Sequence, residues 1–416
     1  MNTQSATSTI SAESPVQRRS GTVTDRVSTV PRHHAGTRAR ADTVVALYLD
    51  ELRGYGADRV VLKVANGLAQ SGLSVDLVLA RRRNSTGLSI DPAIRVIELG
   101  SSRNNLWRNI SGLATYLRAH QPTILFSTIH FNNIVTASAI WLAKTETRLV
   151  LRQANILRRQ LKDYPFPIGP LLKISVRMAY RRADIVVCQC HSMLTDIVGF
   201  MRVPREKVQV LYNPTITPDI FVQATETVDH SWLTDKQFPV LLAIGRLKPQ
   251  KDFATLIRGF AELKRSQPGV RLIILGEGPQ RDALEQLSIT LGVAEDVDFP
   301  GFRSNPYAFM AAADVIISSS QYEGLPNVLI EALALGKKIV ATNCMGGTAE
   351  ILKYGEFGQL VPVGDPFLLA QAIARSLDQP SASLYSPVAS EDFQQDQQIQ
   401  KYIAVLESQF AAREPG

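Results

Sequence analysis

Short β-rich apolar runs alternate along this chain with helix-length segments, and that cadence restricts the fold more than any other feature. The runs fall near Thr43–Leu49, Val75–Leu79, Ile94–Leu99, Thr123–Ser127, Arg148–Leu151, Ile185–Cys188 and Val208–Leu211. The first ends in Asp50 and a glycine-bearing turn, Arg53-Gly54-Tyr55-Gly56, and the spacing of Val60, Val61, Val64 and Leu68 then predicts a helix over Ala57–Gln70. Strand, helix, strand at this period means an open parallel sheet covered on both faces. Pro214, Pro218 and a weakly patterned stretch to Asp235 interrupt the alternation. It resumes with runs near Pro239–Ile244, Leu272–Leu275, Val297–Phe299, Val315–Ile317, Ile339–Ala341 and Leu360–Val361. The expected fold is therefore α/β, with two doubly wound Rossmann-like domains facing across a cleft, and a ligand belongs in that cleft. The expected division is a disordered arm over 1–40, an N-terminal domain over 41–220, and a C-terminal domain over 221–390. A final helical segment, 391–416, is a candidate to return to the first domain.

No run approaches 18 consecutive apolar residues, so no membrane-spanning helix is expected. The Ser-, Thr- and Arg-rich start lacks the apolar core of a secretory signal, and three cysteines cannot form a disulfide framework. A reduced cytoplasmic setting is the expectation. The net charge of +7 is unevenly spread: residues 1–220 carry 29 Lys+Arg against 15 Asp+Glu, whereas residues 221–416 carry 16 against 23. A basic first half suggests an anionic partner for that half alone. Nucleic acid is disfavoured because no aromatic-interleaved basic motif accompanies the charge. Peripheral contact with the anionic inner face of a membrane is preferred. The segment Leu171–Arg182 mixes apolar residues with Lys173, Arg177, Arg181 and Arg182. It reads equally as a sheet-covering helix with a solvated basic face and as an interfacial patch on anionic lipid.

The chemistry-bearing residues sit at expected strand ends. Between the runs at 315 and 339 stand Glu323, Gly324, Leu325, Pro326, Asn327 and Glu331, with Glu323 in the loop before a helix and Glu331 inside it. Two carboxylates can only accept hydrogen bonds, which suits hydroxyl-rich ligands, and a helix N-terminus beside them suits phosphate. Arg246 and Lys251 bracket the loop Gly245–Asp252 after the run at 239, offering a planar fork and a mobile point charge to phosphate oxygens. Taken alone, that loop is equally a solvated basic turn. Gly276-Glu277-Gly278-Pro279 lacks the third glycine of a dinucleotide fingerprint but permits close backbone approach to a ligand. Gly301-Phe302 could offer backbone groups and a ring face to a nucleobase, and Gly346-Gly347-Thr348 could present N–H groups. His130 and Arg152 each follow a first-domain strand at its carboxyl end. Asp296-Val297-Asp298 has the spacing of a metal-holding pair but enters a strand at its amino end, away from the cleft, so no metal is assigned to it.

In order, these motifs resemble the retaining glycosyltransferases of family four, which have the GT-B fold. The resemblance covers roughly Thr43–Leu377. Its specific part is Gly-Arg-Leu-x-x-x-Lys-Asp at 245–252, Gly-Glu-Gly-Pro at 276–279 and Phe-x-Gly-Phe at 299–302. Glu-Gly-Leu-Pro-Asn-x-x-x-Glu at 323–331 and Gly-Gly-Thr-Ala-Glu-Ile-Leu at 346–352 complete it. The resemblance implies a sugar nucleotide in the cleft as co-substrate, with no cofactor and no metal. Arg246 and Lys251 would hold the diphosphate, Glu331 the ribose, Glu323 the donor sugar, and the Gly301-Phe302 turn the base. His130 matches the family's first-domain histidine near the transferred sugar. With these, Gly56, Gly278, Gly324, Leu325, Asn327 and Gly347 make up the expected donor site, while Tyr55 and Arg152 are acceptor-side candidates. The first-domain turn departs from the family pattern: Tyr55 stands where the first of two glycines is usual, and Ala57-Asp58-Arg59 follows.

The implied reaction is transfer of a hexose with retention, UDP-linked donors coming before GDP-mannose, to a glycan or lipid-linked acceptor of a bacterial surface polysaccharide. Two other readings use the same cleft. A sugar-nucleotide epimerase would alter the soluble donor, and a non-catalytic sugar-nucleotide-binding protein would bind it without turnover.

Overall fold

The computed structural model describes residues 44–52, 56–81, 89–100, 105–379 and 391–411. The expected arm at 1–40 and the turn carrying Tyr55 lie outside the described residues. Seven strands form the first sheet: β1 (Val44–Glu51), β2 (Ser74–Arg81), β3 (Arg95–Glu98), β4 (Ile124–Thr128), β5 (Arg148–Arg152), β6 (Ile185–Cys188) and β7 (Val208–Val210). Their order is β3-β2-β1-β4-β5-β6-β7, all parallel. Six form the second: β8 (Val240–Ile244), β9 (Arg271–Leu275), β10 (Val297–Gly301), β11 (Val315–Ser318), β12 (Lys338–Thr342) and β13 (Gln359–Val361). These are again parallel, in the order β10-β9-β8-β11-β12-β13.

Both sheets reverse winding direction beside their first strand, between β1 and β4 and between β8 and β11. Loops leaving the carboxyl ends of those strands diverge there and leave a crevice. This is the doubly wound pair expected from the alternation.

Alternate residues of β1 explain why its apolar run is unbroken. Ala46 and Tyr48 join the core on one face of the sheet, with Leu117, Leu151 and Tyr180. Val45, Leu47 and Leu49 join the other, with Val61 and Leu68 of α1 (Gly56–Gln70). The first face is covered by α2 (His130–Ala143) and α3 (Ile168–Arg182). On the second face α1 is joined by the last helix. That helix, Gln395–Ala411, buries Ile399, Tyr402, Ile403 and Leu406 against Phe126, Val61 and Leu68.

The return of the chain is fixed at several points. Thr215 and Ile216 donate backbone hydrogen bonds to Phe393 O, and Gln395 donates to Ile216 O at 2.9 Å. Gly67, inside α1, leaves the space that the last helix fills: a Cβ there would stand 2.4 Å from Ile399 Cγ2. We therefore expect Gly67→Ala to lower stability by about 1–3 kcal/mol through overpacking. In an Ile399→Ala background the same change should stabilise by up to about 1 kcal/mol, the ordinary helix preference of Ala over Gly. Urea midpoints of the four proteins measure both; additive effects would show that the two helices do not meet here.

Candidate functional site

Two loops of the second domain meet at its switch point. The loop after β8 begins at Gly245 and places Lys251 in a short helical turn. The loop after β11 carries Glu323. Lys251 Nζ lies 2.6 Å from Glu323 Oε1, with both side chains largely buried. The same carboxylate accepts from Ser320 Oγ at 2.6 Å and from Gln250 Nε2 at 3.5 Å. Arg246 is exposed at the mouth of the same loop.

Helix α4 (Asn327–Ala334) follows, starting after Pro326, and carries Glu331. Sequence reasoning gave Glu331 the ribose and named no partner for it within the protein, yet α1 of the first domain faces it with Arg59 and Lys63, one helical turn apart. Burial raises the Glu331 carboxyl, while Lys63 and Arg59 oppose the shift. Burial likewise lowers Lys63 to about 8, with Glu331 acting against it. Lys63 Nζ also donates to Pro214 O and Thr215 O, both at 3.0 Å, and Tyr307 OH donates to Glu331 Oε1 at 3.4 Å. The available signal was the i, i+4 spacing of Arg59 and Lys63, which fixes a common face.

Several predicted glycines serve loop-on-loop contact. A Cβ on Gly276 would meet Gly245 O at 2.0 Å, and one on Gly278 would meet Leu247 O at 2.2 Å. Backbone hydrogen bonds follow from that approach: Leu247 N to Glu277 O at 2.9 Å and Gly276 N to Gly301 O at 2.9 Å. The sequence reading was of backbone approach to a ligand; the approach seen here is to another loop of the protein. Gly301 takes a positive φ of 81°, which favours glycine, and Phe302 beyond it is 66% exposed.

Gly324, Leu325, Asn327 and Gly347 lie on the seam between the domains. A Cβ on Gly324 would meet Ala154 O at 2.2 Å, and one on Gly347 would meet Cys190 Cβ at 3.3 Å. Leu325 is buried, and its carbonyl accepts from Asn213 Nδ2 at 3.5 Å. Asn327 Oδ1 accepts from Asn213 Nδ2 at 2.7 Å and from Thr215 Oγ1 at 3.3 Å. Beside them, Glu350 accepts from His191 N at 2.9 Å and from Tyr212 OH at 2.6 Å. Sequence reasoning missed this last set, whose members stand 138 and 159 residues apart.

On the first-domain side, Gly56 opens α1, and a Cβ there would meet nothing within 4 Å. His130 opens α2 directly after Ile129, whose φ of 72° is strained for a β-branched residue. The His130 ring is buried, and neither nitrogen has a hydrogen-bond partner among the described residues. The rings of Phe131 and Tyr164 stand 4.5 and 6.3 Å away. Burial lowers the imidazole to about 4, so it is neutral at pH 7.

Arg152 is a correction. It is 1% exposed, and its guanidinium donates to Thr128 Oγ1 (3.0 Å), Asn213 Oδ1 (2.7 Å) and Tyr402 OH (3.3 Å). It ties β5 to the interdomain segment and the last helix, and presents nothing to an acceptor. Asp296 is engaged by Lys264 and Arg271, and Asp298 by His230, whose hydrogen bond holds that carboxyl below its ordinary range. Among the described residues, no helix is long and apolar enough to cross a membrane.

Residues 55–217 match the family described as "Glycosyltransferase Family 4", and residues 225–388 match "Glycosyl transferases group 1". The chain belongs to this glycosyltransferase family. Its GT-B fold is shared by solved glycosyltransferase structures. Anabaena HepE in complex with UDP and glucose matches with a TM-score of 0.72 at 21% identity, over 88% of this chain and 99% of that one. WaaG, a glycosyltransferase involved in lipopolysaccharide biosynthesis, matches with a TM-score of 0.67 at 19% identity, over 87% and 99%. Among curated relatives, this glycosyltransferase is 34% identical over 206 residues to a Campylobacter jejuni enzyme. That relative is named N-acetylgalactosamine-N,N'-diacetylbacillosaminyl-diphospho-undecaprenol 4-alpha-N-acetylgalactosaminyltransferase. The alignment spans 50% of this chain and 54% of that protein, about half of each. It is 28% identical over 329 residues to the lipopolysaccharide core biosynthesis glycosyltransferase LpsE of Rhizobium meliloti, over 78% of this chain and 85% of that protein.

The buried neutral His130 has a consequence for stability. Its folded pKa lies below the unfolded value, so the unfolded chain binds the proton first and stability falls as pH drops through the window from about 6.5 to about 4. Lowering the pH from 7.5 to 5 should cost on the order of 2 kcal/mol through this group. His130→Asn should lose that part of the pH dependence; an unchanged difference between urea midpoints at the two pH values would contradict it.

Proposed function

We propose that this glycosyltransferase moves a hexose with retention from a nucleotide diphosphate sugar to a glycan or lipid-linked acceptor in bacterial surface-polysaccharide assembly. UDP-sugars are the favoured donors and GDP-mannose the second. The observation that carries the reading is the meeting of Lys251 and Glu323 at the switch point of the second sheet. A cation and a hydrogen-bond acceptor stand side by side there, at the edge where doubly wound folds bind nucleotides. The complex of HepE with UDP and glucose supports the donor class, and the lipopolysaccharide core biosynthesis and the diphospho-undecaprenol in the relatives' names support the product class.

In this reading Lys251 and Arg246 stabilise the charge that develops on the departing diphosphate, so the step needs no resident metal. Glu323 accepts hydrogen bonds from the donor sugar and Glu331 from the ribose. The Gly301-Phe302 turn faces the base, and neutral His130 stands near the transferred sugar. With no protein nucleophile assigned, retention follows a front-face route: the C–O bond to the diphosphate breaks, the acceptor oxygen attacks from the same side, and its proton passes to the leaving phosphate.

Lys251→Ala and Glu323→Gln should each lower transfer by about 10²-fold or more, with the circular dichroism spectrum retained. Retention of full activity in either variant would remove the assignment. A thermal-shift panel of UDP- and GDP-sugars should show at least one donor raising the melting temperature of the wild type, with the effect reduced in the Lys251→Ala variant. Label from a radioactive donor should then appear in lipid or glycan extracted from added membranes. A changed soluble donor would instead support the epimerase reading, and binding without turnover the non-catalytic one.

A further inference from the structure

Three aromatic rings cluster at the carboxyl edge of the first sheet, beside the seam with the second domain. Thr128 at the end of β4 pairs in register with Arg152 at the end of β5, so Ile129-His130-Phe131 and Gln153-Ala154-Asn155 leave the sheet at one level. The second segment touches the loop of Glu323, since a Cβ on Gly324 would stand 2.2 Å from Ala154 O. The first segment carries two of the rings, and Tyr164 supplies the third from the chain that follows β5. The His130 and Phe131 centroids are 4.5 Å apart. Tyr164 stands edge-on to both, at 6.3 and 6.1 Å.

Exposure divides the three. His130 is 5% exposed and Tyr164 packs half-buried against the core, whereas Phe131 is 44% exposed. A single exposed phenylalanine is ordinary on a protein surface. This one adjoins a buried imidazole, neither nitrogen of which has a hydrogen-bond partner among the described residues. A neutral imidazole offers one donor and one acceptor, and hydroxyls, which both accept and donate, answer either. An apolar ring beside unanswered polar groups suits a sugar, whose faces present C–H groups and whose rim presents hydroxyls. Position decides which sugar. The proposed reaction puts the transferred sugar near His130, and the acceptor oxygen must come within about 3–3.5 Å of its anomeric carbon. The part of the acceptor that carries this oxygen is therefore the part that meets Phe131.

We propose that Phe131 is a stacking platform for a pyranose ring at the growing end of the acceptor, with Tyr164 bracing it from the side. The acceptor is then a glycan already begun, and the reaction that supplies it is an earlier glycosyl transfer. A bare carrier phosphate has no ring face to stack and calls for a cation, whereas the imidazole at this spot is neutral at pH 7. Phe131 thus selects for a cyclic sugar, and the hydroxyl pattern around the rim is left to the polar groups of the cleft. This placement rests on the donor reading, whereas acceptor binding is measured with no donor present.

The test is saturation-transfer difference NMR of the full chain with methyl hexopyranosides of the gluco, galacto, manno and 2-acetamido series. At least one should receive magnetisation, most strongly at the C–H protons of one ring face. The alditols sorbitol, galactitol and mannitol, which carry hydroxyls without the ring, should receive none. Phe131→Ala and Phe131→Leu should each weaken glycoside binding by roughly tenfold, the second because it keeps bulk without a π face. Phe131→Tyr should bind like the wild type, and all three variants should melt near it. In turnover, Phe131→Leu should raise the acceptor KM by a similar factor and leave hydrolysis of the donor by water within about twofold. Silence across the glycosides, equal transfer to the alditols, or a Phe131→Leu variant that binds like the wild type would overturn the assignment. So would competitive displacement of the glycoside by the sugar nucleotide selected in the thermal-shift panel, which would put the ring on the donor side. Glycosides that bind through Phe131 while no sugar nucleotide raises the melting temperature would support the platform and remove the donor reading alone.

Discussion

The ion pair between Lys251 and Glu323 sets the geometry on which the second domain's site depends. Neither charge has much access to water, so each must be matched within the protein, and an unmatched one would cost several kcal/mol, about 3–5 when a buried partner is removed. The match holds together two loops that leave the sheet in opposite directions, one from β8 and one from β11. Gln250 and Ser320 add neutral hydrogen bonds to the same carboxylate and fix its orientation. The crevice therefore owes its position to strand order and its shape to a charge requirement.

A second constraint acts between the domains. At Gly324 the backbone comes so close to Ala154 that no side chain fits, and Gly346 and Gly347 fold back onto the same loop. Asn213 joins the two halves chemically, because its amide donates to Asn327 while its oxygen accepts from Arg152. One residue of the connecting segment thereby links a strand end of the first domain to the helix start that follows Glu323. Glu331 completes the crossing through the field of Arg59 and Lys63.

Much of this was legible in the sequence, for physical reasons. Parallel strands buried on both faces must read as unbroken apolar runs, so both sheets and their order of elements could be anticipated. The loops after β8, β9, β10 and β11 carried the motif residues, since side chains at carboxyl ends of doubly wound sheets converge on one edge. Side-chain direction was less accessible. Arg152 ends a strand exactly as His130 follows one, yet its guanidinium turns towards Asn213 and Tyr402, the latter 250 residues further along. The glycines at 276 and 278 signalled close approach and were read as facing a ligand, whereas the atoms they crowd are the backbone of Gly245 and Leu247. For Leu171–Arg182 the composition left two readings open because helix α3 is apolar on both faces, and only the packing of Leu172, Val176 and Tyr180 separates inside from outside.

The last helix carries a lesson about what counts as a folding unit. Tyr402 sits edge-on to Phe126 with ring centroids 6.3 Å apart, and Ile399 occupies the notch left by Gly67. The first domain is thus completed by residues 395–411, which follow the second domain in the chain. A ribosome that has released only the first half has produced a sheet whose second face is covered by α1 alone, and severing the chain near Pro214 would leave part of that apolar face uncovered on one fragment and an orphaned helix on the other.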